Sequence, residues 1–213
     1  MALNELQRNR LEQGREYRSV VMTVRTQDRD DNRMIVEGYA TTFNQPYELY
    51  RYDNRVIMEQ VDPHAFDSCD MSDVVMQYDH QGRVFARTRN GTLTLRVDSK
   101  GLYITADLGG TEEGQKLYQE IKDGYTDRMS FGFVVGADSR TIIEDSDAGT
   151  VTVLRTILKI RKLYDVSAVS IPANDMTSIS ARRMADGIVA SMAEECRRAK
   201  EKRLKLKLIL EGI

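Results

Sequence analysis

With 213 residues and 24.3 kDa, the chain can build one sizeable core or two small ones, and 41% hydrophobic with 30% charged residues is an ordinary globular composition. No run approaches the ~20 apolar residues of a membrane helix, and the opening MALNELQRNRLEQGREYR lacks the apolar centre of a signal peptide, so the expectation is a chain made and kept in the cytoplasm. The net charge of -2 is uneven: residues 181–213 carry nine Lys/Arg against five Asp/Glu, a balance of +4, which leaves -6 for residues 1–180.

The first 17 residues are polar, with Leu3, Leu6 and Leu11 too sparse to anchor them, and read as a mobile arm or a short surface helix. From Tyr17 the texture is β-rich: YRSVVMTVRT, the turn-forming QDRDDN, then MIVEGYATTF suggest an antiparallel pair. QPYELYRYDN reads as a tyrosine-rich loop, VIMEQV as a strand, and in DPHAFDS the proline at 63 suits the first turn of a helix. VVMQY, RVFART, LTLRV and LYITADL are four further strands, with Asn90-Gly91 a hairpin signal of the type I′ kind.

TEEGQKLYQEIKDG is a helix: Thr111 can cap it, acidic residues fill its first turn, Leu117 and Ile121 share a face, and Gly124 can end it. RMSFGFVV, RTIIED, TVTVLRTILKIRKL and DVSAVSI bring the body to about eight to ten strands, which suits a barrel or a curled antiparallel sheet. From about Thr177 the pattern turns helical, with Met184, Ile188, Met192 and Cys196 at steps of four. The expected fold class is therefore α+β, an antiparallel β-barrel-like body with flanking helices. It divides into an arm (1–17), a body (18–180) and a basic amphipathic C-terminal helix (181–213).

Much chemistry is excluded at once. There is no phosphate-cradling GxxxxGK[ST], no GxGxxG after a strand, no HExxH and no GxSxG elbow. The two cysteines, Cys69 and Cys196, lie in no CxxC or Cys/His cluster, so neither a metal site nor a cofactor is expected. Any histidine-dependent mechanism must use His64 or His80. His80 follows the apolar run VVMQY and Asp79, at the end of a core strand where a rigid element can hold an imidazole, although a polar turn histidine would look the same. His64 sits at a loop junction. Ser130, in DRMSFGFVV, has Gly132 as its same-face neighbour, which would let a substrate backbone or an oxyanion approach; a plain strand serine beside a bulge is the structural alternative. Asp165 stands among apolar residues on a strand, where a carboxylate needs a partner: a structural Arg or Lys, or a functional imidazole.

Five blocks, in order, carry a resemblance: EGYATTFN, VDPHAFDS, YDHQGRVFARTRNGTLTLRVDSKGLYITADL, IKDGYTDRMSFGFVV and KLYDVSAVSIPAND. From about Met34 to Arg183 the chain resembles the tailed-phage prohead proteases, serine peptidases of capsid maturation related in fold to herpesvirus assemblins. The resemblance implies a catalytic Ser130, His80 and Asp165. It also implies an endopeptidase that cleaves the scaffold segment of the major capsid protein precursor, the internal scaffold, or both, and it leaves self-cleavage open. The setting it implies is the host cytoplasm and the interior of the prohead, and a homodimer is plausible by analogy with the herpesvirus enzymes.

Two departures stand out. Gln81 follows His80 where relatives commonly have an acid, which makes Asp79 a rival to Asp165, and His64 stands where relatives often have glycine. Asp165 is preferred because a side chain adjacent to His80 on a strand would point to the other face. Backbone amides are the expected oxyanion donors. The basic tail is either a solvated helix packed on the body, a packaging handle or an autocleaved extension; its small charge and missing aromatics speak against nucleic acid or membrane as partners. The alternative reading from another class is a catalytically dispensable scaffold- or capsid-binding assembly protein on the same fold. A small-molecule esterase would be expected to show the absent nucleophile elbow.

Overall fold

The computed structural model describes residues 12–20, 25–28, 33–52, 54–145 and 149–170, together with scattered helical positions between 187 and 205. The stripe of Met184, Ile188, Met192 and Cys196 lies outside the described residues, as does the boundary near Thr177. Among the described residues no helix is long and apolar enough to cross a membrane.

The spine is one long antiparallel hairpin, β10 (Arg128–Asp145) and β11 (Thr150–Val169), into which four of the expected strands merge. Branched and aromatic residues favour the extended backbone along both. Register shifts between Gly132 and Phe133, and again between Val134 and Asp138, bend the pair. The free edge of β11 then holds two parallel partners end to end: β5 (Arg55–Val61) against residues 151–157 and β6 (Val75–Tyr78) against residues 165–168. β4 (Tyr47–Tyr52) extends β5 and β7 (Gln81–Arg87) extends β6, while β1 (Glu16–Val20) lies on the opposite edge, along β10. A second, four-stranded sheet runs β2 (Arg25–Asp28), β3 (Met34–Thr42), β9 (Gly101–Asp107), β8 (Leu93–Val97), antiparallel throughout.

The two sheets share one core. Val36, Ala40, Leu102, Ile104 and Ala106 come from the smaller sheet, and Met129, Phe131, Phe133, Ile157 and Leu163 from the hairpin. The helix α1 (Glu112–Lys122) packs Leu117, Tyr118 and Ile121 into the same cluster. Its start follows the expected chemistry: the Thr111 hydroxyl accepts from the Gly114 amide at 3.0 Å, with Glu112 and Glu113 in the first turn, and Gly124 beyond its end adopts a φ of 80°.

Several expectations are corrected. The strands pair into two open sheets, and among the described residues neither closes into a barrel. A strand count cannot say which edges pair; here the two sheets bury their inner faces against one another and α1, joined at one corner by a Phe43–Val61 bridge. The tyrosine-rich loop is strand β4, tied down by pairing with β5 and by the Tyr47 hydroxyl, which donates to Glu59 at 2.5 Å. DPHAFDS forms successive turns closed by bonds such as Ala65 N to Asp62 O at 3.0 Å, not a helix. Asn90-Gly91 makes no hairpin: Thr88–Asn90 is a 3-10 turn ended by Gly91 at φ 75°, because the strands on either side belong to different sheets. The polar arm ends earlier than residue 17, since Glu16 and Tyr17 already belong to β1 and Tyr17 is fully buried.

Replacing Thr111 by Ala removes the cap of α1 and should lower stability by about 1 kcal/mol. Urea unfolding followed by far-UV circular dichroism measures it, and an unchanged midpoint would show that the cap contributes nothing.

Candidate active site

β6 and β7 are joined by only two residues, since Tyr78 pairs with Gln81. Those two are Asp79 and His80, at φ 47° and 59°, the left-handed sign that both central residues of a type I′ turn require. Neither is glycine, and a non-glycine residue held there costs of order 1–3 kcal/mol. The turn is pinned from the Asp79 side: its amide donates to the Ala168 carbonyl at 3.0 Å, and its carboxylate accepts from the Ser170 amide and hydroxyl, each at 3.3 Å. Asp79 is thereby tied to the end of β11 while His80 turns inward and is buried.

On the hairpin, Ser130 stands opposite Ser167 and Gly132 opposite Asp165. Residues two apart share a face of a strand, so all four face the same side. The structure brings His80 between Ser130 and Asp165. Its Nδ1 is in a short hydrogen bond with Asp165 Oδ1, and its Nε2 lies 2.6 Å from Ser130 Oγ. Ser167 donates to the same Asp165 oxygen at 2.9 Å, and the Ser130 hydroxyl donates to the backbone carbonyl of Arg18 at 2.6 Å. The ring of Tyr17 stands edge-on to His80, centroids 4.6 Å apart.

Electrostatics favour an ionised Asp165. Burial alone would push its carboxyl up, but the electrostatic pull of His80, the hydrogen bonds from His80 and Ser167, and the charge of Arg15 outweigh it and hold the group below the usual carboxylate value. The second oxygen, Oδ2, is buried without a hydrogen-bond partner. It fits because Gly132 opposite has no side chain: a Cβ there would lie 2.3 Å from Oδ2 and 2.8 Å from the Tyr17 ring. The glycine expected to admit a substrate instead makes room for the carboxylate.

His64 is exposed on the turns after β5, with Nδ1 3.1 Å from Asp67, away from this cluster. Two neighbours escaped the sequence reading. Ser167 carried a usable signal, since it lies two residues from Asp165 on one strand; Tyr17 carried none, because only tertiary folding brings β1 to β10. Among the described residues no group of three His, Cys, Asp or Glu side chains could hold a metal ion.

The comparison with known proteins covers the segment that holds this cluster. Residues 21–188 match the family model of the caudovirus prohead serine protease. The chain belongs to that family. The prohead protease of enterobacteria phage HK97 is 29% identical over 163 residues, a match covering 75% of this chain and 64% of that protein, so the chain spans less than two thirds of its relative's length. No solved structure matches the chain. His80, Ser130 and Asp165 all fall inside the family match, whereas β1 precedes it.

Two outcomes are expected of this packing. Gly132→Ala must displace the Asp165 carboxylate or the Tyr17 ring and should destabilise the fold by about 1–3 kcal/mol in denaturant titrations. An unshifted midpoint would mean that the carboxylate lies elsewhere. Because the folded-state pKa of Asp165 is depressed, its contribution is full above the unfolded carboxyl value of about 4 and is lost as pH falls through the folded value. Stability curves of wild type and Asp165→Asn should therefore converge below about pH 4, and a gap that widens on acidification would reverse the assigned sign.

Proposed function

We propose that this protein is a serine endopeptidase of virion assembly in which Ser130, His80 and Asp165 form the catalytic triad. One observation carries the reading: three side chains from separate segments, His80 lying 50 residues from Ser130 and 85 from Asp165, meet on one hydrogen-bonded line in a family of serine proteases. Ser130 Oγ attacks the scissile carbonyl carbon as its proton passes to His80 Nε2, and the imidazolium then gives that proton to the departing amine. Water, deprotonated by the same imidazole, releases the acyl group from Ser130. Asp165 accepts the Nδ1 proton's hydrogen bond throughout, which fixes the tautomer and stabilises the imidazolium, and Ser167 fixes Asp165. Asp79, engaged with Ser170, takes no part.

The substrate in this reading is the scaffold segment of the major capsid protein precursor, together with internal scaffold and the protease itself. It acts inside the prohead in the host cytoplasm, so that fragments leave before DNA enters. No step calls for a metal or an organic cofactor.

Coexpression with the capsid-protein precursor, followed by mass measurement of the products, tests the assignment. Ser130→Ala and His80→Ala should each abolish processing and the double variant should be no worse than either, because the residues act as a unit. Asp165→Asn should lower turnover by about 10³–10⁴, and Asp79→Asn should leave it within a few-fold. Processing that survives Ser130→Ala above a catalyst-free control would end this reading. A wild type that assembles with capsid protein but never cleaves it would favour the assembly-protein alternative.

A further inference from the structure

The nucleophile is fully buried, and what lies over it is the protein's own chain. β1 runs antiparallel along the edge of β10, with Ser19 opposite Ser130 and Arg18 opposite Phe131. The Arg18 carbonyl accepts the Ser130 hydrogen bond at 2.6 Å, and the buried Tyr17 ring covers His80. A hydroxyl has one proton. Directed at the Arg18 carbonyl it is not offered to His80, and a peptide oxygen is too weak a base to take it. Serine, imidazole and carboxylate are thus assembled while the serine is held idle and covered.

Two features make β1 a removable cover. Among the described residues it is the outermost strand of its sheet and pairs with β10 alone, so leaving breaks only that pairing there. Its grip on the body also comes through charge. Arg18 Nε reaches Glu59 at 2.5 Å and Glu16 reaches Arg155 at 2.9 Å, while Arg155 also holds Glu59 at 2.7 Å and Asp138 at 2.5 Å. Glu16 and Arg18 carry opposite charges, so their departure leaves the net charge of the remaining Glu59, Asp138 and Arg155 as it was with β1 in place. Removing one partner of a buried ion pair is costly, so the charges of Glu16 and Arg18 hold β1 in place and neutralising them loosens it. With β1 gone, β10 presents open backbone groups beside Ser130, the kind of edge to which an extended peptide adds as a strand.

Resting on the proteolytic reading above, we infer that the β10 edge beside Ser130 is the substrate-binding edge, and that β1 occupies it as an internal pseudosubstrate and keeps the enzyme latent until it is displaced. Substrate then enters as an antiparallel strand in its place. Activation is the loss of a five-residue edge strand and needs no rearrangement of the His80–Asp165 pair.

The test uses the full chain and a fluorophosphonate probe, from which Ser130 Oγ displaces fluoride while its proton passes to His80. A Glu16→Gln, Arg18→Met double variant, which removes the charged grip at nearly constant volume, should be labelled at least about tenfold faster than wild type, with Ser130→Ala unlabelled. The hexapeptide Arg-Glu-Tyr-Arg-Ser-Val, the sequence of residues 15–20, should slow labelling of the double variant, and the same peptide with Met at the Arg18 position should do so less. Equal labelling of wild type and variant, or no effect of either peptide, would overturn the pseudosubstrate and leave the triad standing. Absence of Ser130 labelling in every form, each with a native melt, would instead remove the serine-protease reading on which it rests. Should the double variant lose its cooperative melt, Glu16→Gln alone carries the same comparison, its side chain being 18% exposed.

Discussion

The candidate site depends on the register of one hairpin. β10 and β11 must pair so that Gly132 stands opposite Asp165 and Ser130 opposite Ser167, because a slip of one residue would turn the carboxylate and the hydroxyl to opposite faces. That register is held from several directions: Met129, Phe131 and Phe133 are buried in the core, β5 and β6 add in parallel to the other edge of β11, and Gly132 is the one residue type that leaves space for the buried Asp165 oxygen. Hydrophobic burial on one face of the hairpin therefore sets the polar geometry on the other.

Burying so much charge next to a hydrophobic core demands compensation. Asp165 is answered by His80, Ser167 and the more distant Arg15, and Glu59 by Arg18, Arg155 and the Tyr47 hydroxyl. The second cluster lies beside the first because Tyr17 and Arg18 are neighbours on β1, one against His80 and the other against Glu59. Glu16 shows the same balance: burial raises its carboxyl, and the guanidinium groups of Arg18 and Arg155 bring it below the ordinary value. Such networks fix position with little net gain in stability.

Local backbone strain and the candidate site coincide at a single turn. Asp79 and His80 both hold positive φ without being glycine, whereas Asn90-Gly91, the dipeptide with the stronger hairpin chemistry, makes a corner between sheets. The strain at the first is held by β11, through Ala168 and Ser170, and by the His80–Asp165 bond. An inward-facing imidazole, two residues after the end of β6 and directly before β7, is what this turn achieves.

Local chemistry was legible in the amino-acid sequence: strand texture from Met34 to Val169, the capped helix after Thr111, the shortage of histidines that singled out His80, and the ordered blocks around Ser130 and Asp165 that mark the family. These depend on neighbours in the chain and on residue type. Other features depended on which edges pair and which faces meet, and long-range packing decides those: two open sheets in place of a barrel, β4 in place of a loop, and Gly132 as space for a carboxylate. The covering of Ser130 by β1 belongs with them, since nothing in EYRSV distinguishes a strand that lies on Ser130 from any other, and only the pairing of Ser19 with Ser130, 111 positions later, gives it that place.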